Sequence, residues 1–179
     1  MHLNFESGRL TDVVFHASPN HSKRSSQVEL VVIHCISLPQ GEYNNDNVEK
    51  LFLNSLDSRH HKSFLGLKKL NVSSHIYIKR TGEILQFVPF NRVAWHAGVS
   101  SFNGRENCNE FSIGIELQGS VDQSFEEAQY KALNEILKIL KSSFPLKAIV
   151  GHSDIAPTRK TDPGPWFCLL YTSPSPRDR

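Results

Sequence analysis

The run "VELVVIHCI", residues 28 to 36, is nearly all apolar and rich in β-branched side chains. A strand with one wet face alternates polar and apolar positions, whereas a strand covered on both faces reads as a continuous apolar run. This stretch therefore predicts a strand in the middle of a sheet, and the rest of the chain has to supply the layers that cover it. "FSIGIELQG", 111 to 119, reads as another strand, and "KAIVGHSD" as a short last one. "SSHIYIKRTGEILQFVPF" holds two strand-like runs around "RTGE", where Gly82 suits a tight antiparallel hairpin.

Two segments carry helical spacing. "NVEKLFLNSL", 47 to 56, places Val48, Leu51, Phe52 and Leu56 on one side behind an Asp46 or Asn47 cap. In "SFEEAQYKALNEILKILKSSF", Ser124 and Glu127 read as a capping box, followed by Tyr130, Leu133, Ile136, Leu137 and Leu140 on one face. Strands interleaved with helices, plus one antiparallel hairpin, predict an α/β single domain: a central mixed β-sheet flanked by helices. At 179 residues the chain fits one such domain. Residues 1–27 read as an N-terminal arm packed on a domain spanning 28–167. Residues 168–179, ending "CLLYTSPSPRDR", read as a disordered or foreign tail.

Composition narrows the function classes. A net charge of +2 without a long basic block argues against nucleic acid. No apolar run is long enough to span a bilayer and no signal peptide opens the chain, so no membrane insertion and a cytoplasmic location are expected. Cys35, Cys108 and Cys168 form no CxxC pair, which argues against a disulfide framework or a thiolate zinc site.

Nine histidines are many for this length, and most sit in polar segments where solvation explains them. His75 and His96 border predicted strands or Trp95, and could be packed groups or part of a pocket wall. His34 and His152 differ, because each lies at the C-terminal end of an apolar strand, where α/β sheets bind ligands. Either alone could be a core histidine bonded to backbone. Asp162 follows His152 by ten positions and is held by Pro163, so it could return to the same point. Two histidines and a carboxylate leave one tetrahedral position for water, the arrangement of a catalytic zinc.

Glu116 lies beside Ile113, Ile115 and Leu117. A buried acid there would be costly unless paired or functional, and its pKa would rise toward the range of a general base. The alternative is that Glu116 belongs to the wet face of its strand. Arg159 and Lys160 are loop charges; only proximity to a metal would make Lys160 an electrostatic stabiliser.

"VVIHCISLPQGEY", "VSSHIYIKRTGEILQFVPF", "AWHAGVSSFNGRENCNEFSIGIELQG" and "GHSDIAPTRKTDPGP" resemble, in order and spacing, the zinc-dependent N-acetylmuramoyl-L-alanine amidases, from about residue 18 to 167. The likeness is greatest to the cytoplasmic bacterial enzymes acting on anhydro-muropeptides in cell-wall recycling. It implies a fold like that of peptidoglycan recognition proteins and one zinc ion, Zn2+, bound by His34, His152 and Asp162. It also implies Glu116 as catalytic base, Lys160 at the oxyanion, and hydrolysis of the amide between the lactyl group and L-alanine by a monomer. Trp95 and His96 would line the substrate cleft, and Arg105 could meet a peptide carboxylate. Departures from the family pattern are Asn71 and Asn107 where arginines are usual, and Cys35 where asparagine is frequent. Rival readings are a cysteine hydrolase using Cys35 or Cys108, a non-catalytic muropeptide-binding module, and a lytic amidase on intact wall.

Overall fold

The computed structural model describes residues 1–168. Six strands form one mixed sheet in the order Ala148–Gly151, Leu30–Ile36, Ser112–Gln118, Ile76–Ile78, Ile84–Gln86, Val14–Phe15. The first four are mutually parallel, Ile76–Ile78 and Ile84–Gln86 pair antiparallel, and Val14–Phe15 runs parallel to Ile84–Gln86 at the edge. The 28–36 run thus lies between two other strands, as its composition requires. Apart from Cys168, the tail assigned to 168–179 lies outside the described residues.

One face carries Val31, Ile33, Ile76, Ile113, Ile115 and Leu117, all fully buried, against the long helix Glu127–Ser143. That helix contributes Leu133, Ile136, Leu137 and Leu140, and each such buried side chain stabilises the fold by about 2 kcal/mol. Its cap differs from the expected Ser124 and Glu127. The helix begins at Glu127, and the reciprocal bonds run between Glu126 and Gln129. Phe125 explains the delay: it is buried in the core against Gly119, and Glu126 pairs with Arg80, so the helix starts only after an extended Glu126.

The opposite face is covered by the short helix Asn47–Phe52 and by loops. That helix stops before Leu56, and Asn54 takes a left-handed turn (φ 57°) just beyond it. The amide of Asn54 exchanges bonds with Asn20 (2.7 and 3.0 Å), and Asn20 also donates to the carbonyl of Val72 (2.8 Å). The N-terminal segment is therefore built into the fold: it contributes the edge strand Val14–Phe15, and His21–Lys23 pairs with Arg92–Ala94.

The hairpin turns at Gly82 (φ 84°), where a side chain would meet the carbonyl of Ala128 at 2.9 Å. Among the described residues no helix is long and apolar enough to cross a membrane.

Candidate metal centre

The sheet register places the chemistry. His34 pairs directly with Glu116, and Glu116 with Tyr77, on adjacent parallel strands. Paired residues project to the same face, so all three leave the sheet together, opposite the long helix. Gly151 pairs with Ile33, one rung below, which puts His152 beside His34 as the chain leaves its last strand into the short helix His152–Ile155. Asp162 is returned to this point by a backbone bond, Ser153 N–H donating to the carbonyl of Asp162 at 2.9 Å, with Pro163 packed against Gly151.

Three donor atoms converge there. His34 Nδ1 and His152 Nδ1 are 2.9 Å apart, and Asp162 Oδ2 is 3.2 Å from His152 Nδ1 and 3.3 Å from His34 Nδ1. A tetrahedral zinc with bonds near 2.0–2.2 Å requires ligand atoms roughly 3.3 Å from one another. The far nitrogens are already occupied: His152 Nε2 lies 3.0 Å from the carbonyl of Ala97, and His34 Nε2 lies 2.9 Å from His96 Nδ1. A carbonyl only accepts, so His152 carries its proton on Nε2 and a neutral ring presents its Nδ1 lone pair inward. Lone pairs and a carboxylate oxygen facing one point fit a divalent cation.

Protonation states agree with this. Burial is the chief cause that holds the His34 imidazole down to about 4, so it is neutral at pH 7. For Asp162 burial opposes ionisation, but the contacts with the His152 and His34 imidazoles outweigh it and hold the carboxyl well below the usual carboxylate range. Burial raises Glu116 well above the ordinary range, the Asp162 charge adds to this, and Lys160 opposes it. Glu116 Oε2 is buried and has no hydrogen-bond partner among the described residues. An acid in that state is suited to exchanging a proton with a bound reactant.

The centre opens on a cleft of about 440 Å³, whose wall includes Glu116, Lys160, Trp95 and His96, with an apolar side formed by Leu38, Leu67 and Leu70. Trp95 is 36% exposed at the rim, consistent with a cleft wall and not with a core position. Asn71 lies in an adjoining depression that shares Leu51, Leu67 and Leu70 with the cleft. Arg105 and Asn107 are not in the cleft wall. Arg105 pairs with Glu29 (3.3 Å) and stacks on Phe111, and Asn107 takes a left-handed conformation (φ 58°) leading into the turn Cys108–Phe111. Cys35 borders the cleft, but its thiol meets the carbonyl of Pro163 (3.7 Å), and burial, with Glu116 next, pushes it far up. Cys108 is fully buried. Neither thiol is an available nucleophile.

A profile of N-acetylmuramoyl-L-alanine amidases matches residues 24–165. The chain belongs to the N-acetylmuramoyl-L-alanine amidase family. Among its relatives is the 1,6-anhydro-N-acetylmuramyl-L-alanine amidase AmpD of Haemophilus influenzae, 46% identical over 92% of either chain. The AmpD of Escherichia coli is 49% identical over 77% of this chain and 76% of its own. A crystal structure of a selenomethionine AmpD derivative superposes with a TM-score of 0.93 at 43% identity, covering 96% of this chain and 97% of that one. Amidases of this family include the Escherichia coli AmiD solved with anhydro-N-acetylmuramic acid-L-Ala-D-γ-Glu-L-Lys, 29% identical with a TM-score of 0.59, covering 84% of this chain and 59% of that one. The structure of Apis mellifera PGRP-SA, at 16% identity and a TM-score of 0.60, shares the fold, covering 86% of this chain and 90% of that one.

The sequence did not single out Asn109 or Ser112. Asn109 Oδ1 accepts from the amides of both His96 (3.1 Å) and Ala97 (2.8 Å), and Ser112 Oγ lies 3.2 Å from His96 Nε2. The available signal was the "NEFS" run leading straight into the Glu116 strand.

Proposed function

We propose that this amidase hydrolyses the amide between the lactyl group of 1,6-anhydro-N-acetylmuramic acid and the L-alanine of the stem peptide, in peptidoglycan recycling, with one zinc held by His34, His152 and Asp162. The observation that carries the reading is the triangle of donor atoms at 2.9 to 3.3 Å with the far imidazole nitrogens occupied, set beside an unpartnered Glu116. Held by His34, His152 and Asp162, zinc would supply Lewis acidity toward a water and the amide carbonyl.

The chain's own residues do the rest. Glu116, raised in pKa and free to accept a proton, takes one from the attacking water and returns it to the alanine nitrogen as the bond breaks. Lys160, on the cleft wall, offers its ammonium to the carbonyl oxygen as charge builds there. Trp95 offers an indole face to the sugar at the rim, and His96 lines the same cleft. Three free cysteines are consistent with a reducing bacterial cytoplasm.

The test is metal content together with cleavage of a soluble anhydro-muropeptide, compared with intact sacculi. Wild type is expected to hold one zinc and cut the soluble substrate, and Asp162→Ala to lose both. Equal zinc and equal turnover in the two proteins overturns the assignment, and preferential cutting of sacculi would favour a lytic role.

A further inference from the structure

The two imidazoles at the centre come from segments 118 residues apart, yet their outer nitrogens are both met by one dipeptide. His96 faces His34 Nε2 through its Nδ1 (2.9 Å), and the carbonyl of the next residue, Ala97, faces His152 Nε2 (3.0 Å). That dipeptide is in turn fixed from two sides. Asn109 Oδ1 accepts both of its amide protons, at 3.1 and 2.8 Å. The Arg159 guanidinium donates to the carbonyls of Ala97 (2.7 Å) and Val99 (2.8 Å). The His96 ring is seated where a side chain at Gly114 would stand, since a Cβ there would lie 2.4 Å from His96 Cγ.

Proton counting gives this arrangement a consequence. Between Ser112 Oγ, His96 and His34 the protons can run in either of two directions. In one, Ser112 donates inward and His34 holds its proton on Nδ1, where it blocks a metal. In the other, His34 Nε2–H donates to His96 Nδ1, His96 Nε2–H donates to Ser112 Oγ, and His34 Nδ1 presents a lone pair. The Ser112 hydroxyl accommodates either. On the Ala97 side a carbonyl permits only the metal-competent tautomer of His152.

We propose that the dipeptide His96–Ala97, keyed by Asn109 and clamped by Arg159, is a single outer shell that holds both ligand imidazoles in their metal-binding orientation and fixes the metal-competent tautomer of His152, making His96, Asn109 and Arg159 positioning residues. The proposal rests on the zinc reading above. It adds the support of His34 to the place of His96 in the cleft wall, and gives Asn109 a role that its place in the turn Cys108–Phe111 does not suggest.

The experiment measures zinc affinity by chelator competition, apo-protein melting, and the visible spectrum of the cobalt(II)-loaded protein, in wild type, Asn109→Leu, Asn109→Asp, His96→Phe and Arg159→Ala. Outer-shell partners of metal-bound histidines are worth about 10–100-fold in affinity. Asn109→Leu and His96→Phe are expected to weaken zinc by about that factor and to alter the cobalt spectrum, while their apo proteins stay folded but melt somewhat lower, since each leaves polar groups without their partners. Asn109→Asp keeps the accepting oxygen and is expected to retain affinity, and Arg159→Ala to lose a smaller factor. Unchanged zinc affinity in folded Asn109→Leu or His96→Phe overturns the proposal. Should Asn109→Leu not fold, His96→Phe and Arg159→Ala carry the same comparison, and wild-type affinity in both overturns it. Failure of wild type itself to bind zinc would instead sink the zinc reading.

Discussion

His34 and Glu116 stand directly opposite each other on adjacent parallel strands, so a candidate metal ligand and the candidate base leave the sheet from one rung and one face. Their relation is set by backbone pairing, and the role of each can be separated by substitution.

Glu116→Gln keeps the shape and removes the base. Turnover is expected to fall by about 10²–10⁴-fold with zinc content unchanged. Because burial raises the folded pKa of Glu116, its contribution to stability is present at low pH and lost as pH rises through that folded value. The metal-free variant should therefore melt higher than wild type at neutral pH, with the gap closing in acid. Loss of zinc along with activity would put Glu116 in the ligand set instead.

Acid should act in the opposite sense through the buried imidazoles. His34 is lowered to about 4 and His75 to about 3 from an ordinary 6.5, in both cases chiefly by burial. Stability from these groups is present above pH 6.5 and is lost as pH falls toward their folded values. Each costs about 1.4 kcal/mol per pH unit across its window. Apo Glu116→Gln, which lacks the opposing acid, followed from pH 7.5 down to about 4, should melt progressively lower below about 6.5; a flat profile in that variant would refute the assignment of neutral, buried rings.

Gly114→Ala tests the seat of His96. The added methyl would fall 2.4 Å from His96 Cγ, and overpacking of this kind typically costs about 1–3 kcal/mol. Lower apo stability together with weaker zinc binding is expected, measured by melting and chelator competition. A variant with wild-type values for both would mean that the ring does not occupy that space in solution.

Chelation and thiol alkylation should separate cleanly. A chelator is expected to abolish turnover and added zinc to restore it. Alkylating reagent should leave turnover intact, since the Cys35 thiol is held protonated by burial and Cys108 is enclosed. Sensitivity to alkylation with tolerance of chelator would reverse the choice of nucleophile.

Much of the centre was readable from the sequence because its ligands sit where strong local signals end. The 28–36 run announces a central strand and so gives His34 a position at its carboxyl end, and an acid inside "SIGIELQ" stands out against its neighbours. The helix cap was misplaced because burial of Phe125, a tertiary contact, overrode a local motif at Ser124. Asn109, and the support that His96 gives His34, carry no such signal. Their partners lie 13 and 62 residues away, and a polar residue in a turn looks the same whether it faces solvent or holds another loop in place.

The direct pairing of His34, Glu116 and Tyr77 across three strands also bears on what the family can change cheaply. Neighbouring strands stand about 4.8 Å apart in any sheet, so the spacing of ligand and base is inherited from the architecture and no loop length can retune it. The cleft wall is different: Leu38, Leu67, Leu70 and Trp95 hang on connections outside the main sheet. Exchanges at Leu38, Leu67 and Leu70 are therefore expected to alter which peptidoglycan fragment fits the cleft while leaving the His34–Glu116 spacing as the sheet sets it.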